Sequence, residues 1–248
     1  MLKSRIIPIL LLKDNRLVKS INFKNFNYIG DPCNTVRIFN EVEVDELFLF
    51  DIFASKIKSE PNYKIISNIV DECFMPLAYG GGINSIDQAQ KIFDLGVEKI
   101  CLNSAIIKNP ELVTDLAKIY GSQAIISIID YKKTNSGNKT VWSDGGSLDT
   151  KKCPVEWAKE LENRGTGEIC LTSIDREGTW SGLDLEISRK VSTSLSIPVV
   201  IHGGAGKIKH IKVIQNNSNI SAIGVGSMFV YQKKNNGVLI NYPFEEMK

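Results

Sequence analysis

Two glycine-rich turns set half a chain apart constrain this sequence more than any other feature. Gly80-Gly81-Gly82 ends an apolar run opened by Pro76, and Gly203-Gly204-Ala205 ends one opened by Pro198. Asn103-Ser104 and Gly226-Ser227 stand apart by the same 123 positions that separate Gly80 from Gly203, in a chain of 248 residues. LFDIFAS at Leu49–Ser55 echoes LTSIDRE at Leu171–Glu177. Self-similarity at half the chain length is not a solenoid period. It predicts two copied half-barrels, about residues 1–123 and 124–248, fused into one domain over residues 1–248.

Short apolar runs alternate with longer segments of helical period. The runs are Ile6–Leu12, Glu46–Ile52, Pro76–Tyr79, Lys99–Leu102, Ala124–Asp130, Glu168–Thr172, Pro198–Ile201 and Ala222–Val225. Strands buried on both faces read this way, rich in branched apolar residues and without alternation. Between them Ser85–Leu95, Pro110–Tyr120 and Pro154–Arg164 carry amphipathic helices. The first places Ile86, Ala89, Ile92 and Phe93 on one face. Pro110 and Pro154 suit first helical positions, and Gly96, Gly121 and Gly165 suit helix ends. Eight strand–helix units predict an α/β fold with a parallel sheet closed into a (β/α)8 TIM barrel. Tyr131–Lys152 breaks the rhythm with a polar, glycine-containing stretch. It predicts a hairpin-like excursion with Lys139–Ser143 as one strand, which is either part of the active-site mouth or a floppy surface insertion.

Composition excludes several classes. Thirty basic and 28 acidic residues leave a net charge of +2, with no basic stripe for nucleic acid. No apolar run approaches the length of a membrane span. The first run is followed by Lys13, Asp14 and Arg16 rather than a cleavage site, so a cytoplasmic protein is expected. The five cysteines are odd in number and form no CxxC pair, which predicts buried, reduced thiols. With only His202 and His210 available as imidazoles, neither a metal site nor a cofactor is expected.

The strand ends carry the chemistry. Turns without Cβ let backbone N–H groups approach a phosphate closely, and the helix that follows favours an anion at its N-terminus. Gly81 and Gly82 with Asn103 and Ser104 predict one phosphate cradle. Gly204 and Ala205 with Gly226 and Ser227 predict a second. Two cradles across one mouth suit an elongated, phosphorylated small molecule. Asp51 and Asp130 close the second and fifth strands, and Asp175 follows the sixth. Carboxylates at this rim are candidate general acids or bases. Asp130 is the strongest candidate, while Asp51 and Asp175 serve equally well to hold loop backbone. At the opposite end Arg5, Glu46, Lys99 and Glu168 open four strands. They predict a ring of two acids and two bases across the barrel floor, whose simplest role is a paired plug.

The chain resembles the cyclase subunit of imidazole glycerol phosphate synthase along nearly its whole length. The matching motifs are RIIP at Arg5–Pro8, GDP at Gly30–Pro32, VDELFLFDI at Val44–Ile52, YGGGI at Tyr79–Ile83, LNSA at Leu102–Ala105, YGSQA at Tyr120–Ala124, GEICLTSIDREGT at Gly167–Thr179 and GGAGK at Gly203–Lys207. The resemblance implies a barrel that docks a glutaminase subunit on its N-terminal face, as a heterodimer. It implies ammonia passing through the barrel, with Arg5, Glu46, Lys99 and Glu168 as its gate. Lys19, in the first loop of the mouth, is kept.

The departure falls at the chemistry. The family's cyclase reaction uses two aspartates, one matching Asp130 and the other at position 11, which here is Leu11. Leucine can neither give nor accept a proton. Glu177 replaces a usual aspartate, and His202 a usual small residue. The chain is also similar to cyclase-like subunits of bacterial surface-polysaccharide and flagellar-sugar pathways, which share the P-x-L-L-L-K-D start at Pro8–Asp14. That branch implies ammonia delivery to a third protein, a sugar amidotransferase that forms an acetamidino group. The alternatives are a working cyclase of histidine biosynthesis and a non-enzymatic, phosphate-binding scaffold.

Overall fold

The structure is a computed structural model that describes residues 4–217, 220–234 and 237–243. The extreme ends of the expected domain, residues 1–3 and 244–248, lie outside them. In chain order the strands are β1 (Arg5–Lys13), β2 (Arg16–Ile21), β3 (Lys24–Gly30), β4 (Leu47–Asp51), β5 (Leu77–Gly80), β6 (Lys99–Leu102), β7 (Ile125–Lys133), β8 (Lys139–Ser143), β9 (Leu148–Asp149), β10 (Glu168–Ser173), β11 (Val199–His202) and β12 (Ala222–Val225). The helices are α1 (Pro32–Glu41), α2 (Tyr63–Val70), α3 (Ile86–Asp94), α4 (Ser104–Lys108), α5 (Glu111–Tyr120), α6 (Pro154–Asn163), α7 (Leu185–Thr193), α8 (Ile208–Asn217) and α9 (Ser227–Val230).

Eight strands, β1, β4, β5, β6, β7, β10, β11 and β12, pair in parallel around a closed ring. The ring closes where β12 meets β1, with Arg5 opposite Ala222 and Pro8 opposite Val225. Helices fill the connections, so the fold is the (β/α)8 barrel expected from the alternating runs. All eight apolar runs lie on these strands, with Glu46, Pro76, Ala124 and Pro198 just ahead of theirs and Ile52 just past its own. Alternation within each strand sorts the core in two. Ile6, Leu10 and Leu12 face the helices, whereas Ile7, Ile9 and Leu11 face the lumen with Phe48, Ile126 and Val200.

Local signals set the helix boundaries. Ser85 accepts a hydrogen bond from the Gln88 backbone N–H and starts α3, and Asp31 does the same for Asn34 ahead of Pro32 in α1. Pro154 holds the first position of α6. Pro110 is instead the cap of α5, which therefore begins at Glu111. Gly96 and Gly165 take positive φ just past α3 and α6.

Two additions sit on the barrel. The β2–β3 hairpin runs back antiparallel along β1 and was not signalled by the apolar runs. The expected excursion is β8, which matches Lys139–Ser143 and pairs antiparallel with an extended β7. It is no floppy insertion, because its turn is tied to the mouth: the Asp144 backbone N–H donates to Ser104 Oγ at 3.0 Å. The thiol expectation needs correction. All five cysteines are free, but only Cys101 and Cys170 are buried, and Cys153 is exposed at the cap of α6. Among the described residues no helix is long and apolar enough to cross a membrane.

Helix α6 docks through Trp157, which is 2% exposed and one of the largest fully buried side chains. Trp157→Ala should lower stability by about 3–5 kcal/mol, read as a reduced urea midpoint. Trp157→Phe should cost much less, because its indole N–H has no partner to lose.

Candidate functional site

The carboxyl ends of the strands form a mouth with two cavities. The larger glycine turn leads into a cavity of about 130 Å³ lined by Gly80, Gly81, Gly82, Asn103 and Ser104. Across the mouth, a cavity of about 240 Å³ is lined by Lys19, Ser20, Gly178, Trp180 and Ser227. Between them Gly204, Ala205, Gly226 and Ser227 meet in one recess. The glycine turns and the small polar strand ends singled out from the sequence thus come together at the mouth, each beside a short helix, α4 or α9.

Glycine is required at the turns themselves. Gly81 has φ +134°, and a Cβ there would lie 2.5 Å from the Asp51 carbonyl oxygen. Gly204 has φ +101°, and a Cβ would lie 2.3 Å from the Gly182 carbonyl oxygen. Both turns are pressed against neighbouring backbone in a conformation that side chains rarely adopt.

Asp130 points into the first cavity from the end of β7 and is buried. Its Oδ2 accepts a hydrogen bond from Asn103 Nδ2 at 2.8 Å. Burial pushes its carboxyl up to about 7, against hydrogen bonds from Asn103 and Thr172. A group that shares its proton near neutrality is suited to acid–base work. Asn103 therefore orients the carboxylate as well as lining the cavity.

The other predicted acids separate. Asp51 also lines the cavity, but its Oδ1 accepts from the Phe53 and Ala54 backbone N–H groups at 3.0 and 3.1 Å. Burial raises its carboxyl, and those two N–H groups oppose the rise. Asp175 is exposed and braces the β7–β8 hairpin, its Oδ2 accepting from the Lys133 backbone N–H at 2.8 Å. The buried acid of that loop is Glu177, two residues on, 2% exposed and in the same cavity as Asp130. His202, at the end of β11, lines it too. Position alone gave no reason to rank Glu177 above Asp175, since both follow the strand and differ only in which way the turn aims them.

Lys19 reaches in from β2, fully buried, and its Nζ donates to the Ile9 carbonyl at 2.5 Å. Burial pulls its ammonium down to about 8, and Glu177 opposes that shift. Leu11 lines the same cavity as Asp130 at 5% exposure. Phe26 and Phe50 pack against the lumen cluster that holds Leu11, so the wall around Leu11 itself is apolar.

At the floor the four charges close a ring. Arg5 bonds both Glu46 and Glu168. Lys99 Nζ lies 2.6 Å from Glu46 Oε1 and 3.3 Å from Glu168 Oε2. Burial works against both cations, yet the two carboxylates hold Arg5 and Lys99 above their ordinary values. The acids are the better buried partners, at 3% and 6% side-chain exposure.

A closed parallel barrel with buried ionisable groups and glycine turns at its strand ends defines a (β/α)8 protein, a fold whose sites lie at the C-terminal mouth. The model of the histidine biosynthesis protein family matches residues 5–235, and the chain belongs to that family. Several relatives carry the name "putative imidazole glycerol phosphate synthase subunit". One, hisF2 of Pseudomonas aeruginosa, is 46% identical over 98% of this chain and 97% of its own. Another, HisF of Leptospira borgpetersenii, is 47% identical over 98% and 96%. The imidazole glycerol phosphate synthase subunit HisF of a Hydrogenobaculum species is 39% identical over 94% and 92%.

The raised Asp130 carboxyl makes stability depend on pH. A carboxyl whose folded value lies above its unfolded value near 3.9 stabilises the fold fully in acid, and that contribution is lost as pH rises through about 7. Asp130→Asn cannot ionise and should escape the loss. Urea unfolding should show it little changed near pH 4 and more stable than wild type near pH 8, by about 4 kcal/mol at most.

Proposed function

We propose that this chain is the ammonia-conducting barrel of a glutamine-dependent amidotransferase complex in the cytoplasm. A glutaminase subunit docks on the floor face. Ammonia released there passes the ring of Arg5, Glu46, Lys99 and Glu168 and crosses the apolar lumen past Ile7, Ile9, Cys101 and Cys170. It leaves at the mouth, where a sugar amidotransferase uses it to amidinate a surface-polysaccharide or flagellar sugar. The two glycine cradles hold a phosphorylated small molecule. The identity of the acceptor sugar rests on the resemblance described above.

The observation that carries this proposal is Leu11. Its side chain occupies the cavity wall that it shares with Asp130, where acid–base chemistry on a ligand between β1 and β7 would need a second carboxylate. The floor ring is meanwhile complete. A scaffold that only bound a metabolite would gain nothing from four charges in the floor, since buried ions are costly unless paired.

A second reading, a working cyclase, is favoured by one observation: Asp130 is buried, poised near neutrality and directed into the cavity. Position 11 separates the two. Wild-type protein supplied with ammonium salt should turn over the histidine-pathway bisphosphate very slowly. Leu11→Asp should raise that turnover by ~100- to 10,000-fold, the usual contribution of one positioned acid–base group. Wild-type turnover equal to that of a true cyclase would overturn the proposal.

The floor gives a separate test. Lys99→Ala leaves Glu46 and Glu168 with Arg5 alone and should loosen the ring. In the glutaminase complex, glutamate release should then exceed product formation, where wild type keeps the two matched. Matched stoichiometry in the variant would remove the gate.

A further inference from the structure

The polar side chains at the head of the lumen form a row across three neighbouring strands. Thr172 on β10 is paired with Asp130 on β7 and with His202 on β11. Strand spacing of ~4.8 Å therefore sets Asp130 and His202 on either side of Thr172. Glu177 completes the group, with Oε2 at 3.2 Å from His202 Nε2 and its charge felt at Asp130. All four line one cavity.

This group is rich in acceptors that nothing in the described residues satisfies. Neither ring nitrogen of His202 makes a hydrogen bond, nor does Glu177 Oε1, although the two residues are 5% and 2% exposed. The 3.2 Å approach is close enough for an ion pair but lies off the line of a hydrogen bond. A buried polar atom left without a partner is costly, so three together mark a place built around a ligand. Lys19 acts on both residues through its charge, but its Nζ donates to Ile9.

The chemistry of the three atoms selects the ligand. An ionised Glu177 only accepts hydrogen bonds. Burial lowers the His202 pKa and favours the neutral ring, which has one donor and one acceptor. Whichever ring nitrogen carries the proton, the other is left as an acceptor. A small molecule with several N–H donors suits both free acceptors at once.

We propose that His202 and Glu177, with Asp130 beside them, form a terminal binding site for ammonia or ammonium at the head of the lumen. This deepens the conducting-barrel reading and rests on it. The site holds the nitrogen compound at the mouth, at the ends of β10 and β11, until the acceptor is in place. It accounts for a histidine and a glutamate buried side by side in a cavity that also has an apolar wall.

The chain has only two histidines, so its imidazole ¹⁵N resonances can be followed directly, with His210→Asn to assign them. Ammonium chloride, titrated at fixed ionic strength against sodium and potassium chloride, should shift the His202 nitrogens saturably while the other salts do not. Glu177→Gln should weaken that response about tenfold or more, as expected for losing one charge-assisted hydrogen bond. The absence of a saturable ammonium shift in the wild type would overturn the site, as would an equal response to potassium. Glutamate-to-product stoichiometry in the glutaminase complex reads the channel separately. Matched stoichiometry without a His202 shift removes this site and leaves the channel, whereas a shift with failed coupling keeps the site and removes the channel.

Discussion

The parallel pairing of β1 with β12 is the constraint on which the rest of the molecule depends. It turns an open sheet into a ring and gives the chain an inside with two ends. Once the ring is closed, inward residues of different strands must meet at the same height. Arg5, Glu46, Lys99 and Glu168 are far apart in sequence and become mutual neighbours only for this reason. Closure also makes the ring tolerable. Two acids buried to 3% and 6% exposure would be strongly destabilising with one cation missing, but each is held here by two.

Between the two ends the lumen is apolar, so polar chemistry is confined to floor and head. Ile7, Ile9, Phe48, Cys101, Ile126 and Cys170 separate the floor ring from Asp130. Leu11 carries this apolar surface up to the mouth on the β1 side. The head is therefore lopsided. Asp130, Glu177 and His202 gather on the β7–β10–β11 side, while Leu11, Phe26 and Phe50 give the same cavity an apolar wall. The same burial that makes the head apolar raises the Asp130 carboxyl and lowers the His202 imidazole. One cause thus brings an acid and a base toward their neutral forms within a single cavity.

The two hairpins show what strand-by-strand patterning can and cannot reveal. Tyr131–Lys152 announced itself by polarity, and its one strand was readable at Lys139–Ser143 because Val141 and Trp142 stand out from polar neighbours. The β2–β3 hairpin was silent. Its sequence, RLVKSI followed by KNFNYIG, mixes charges with apolar residues, since part of it faces solvent and part covers the mouth. Lys19 was recognisable only by resemblance. Nothing in a lysine within a polar loop indicates that it will be fully buried, held on the Ile9 carbonyl.

The sequence by itself determined the alternation of strands and helices, the glycine turns at matching places in the two halves, and the missing carboxylate at position 11. Those features are local: a buried parallel strand needs a run of apolar residues, and a turn pressed onto backbone needs glycine. Only the tertiary structure decided which polar side chains work together. Asp175 and Glu177 lie two residues apart in the same loop, yet one is exposed and braces a hairpin while the other is buried beside His202. Likewise Asp130 and Asp51 both end strands, but backbone N–H groups engage Asp51 and leave Asp130 to the cavity. The path of the turn and the register between strands fix these differences. Both are set by contacts across the barrel that no short stretch of sequence contains.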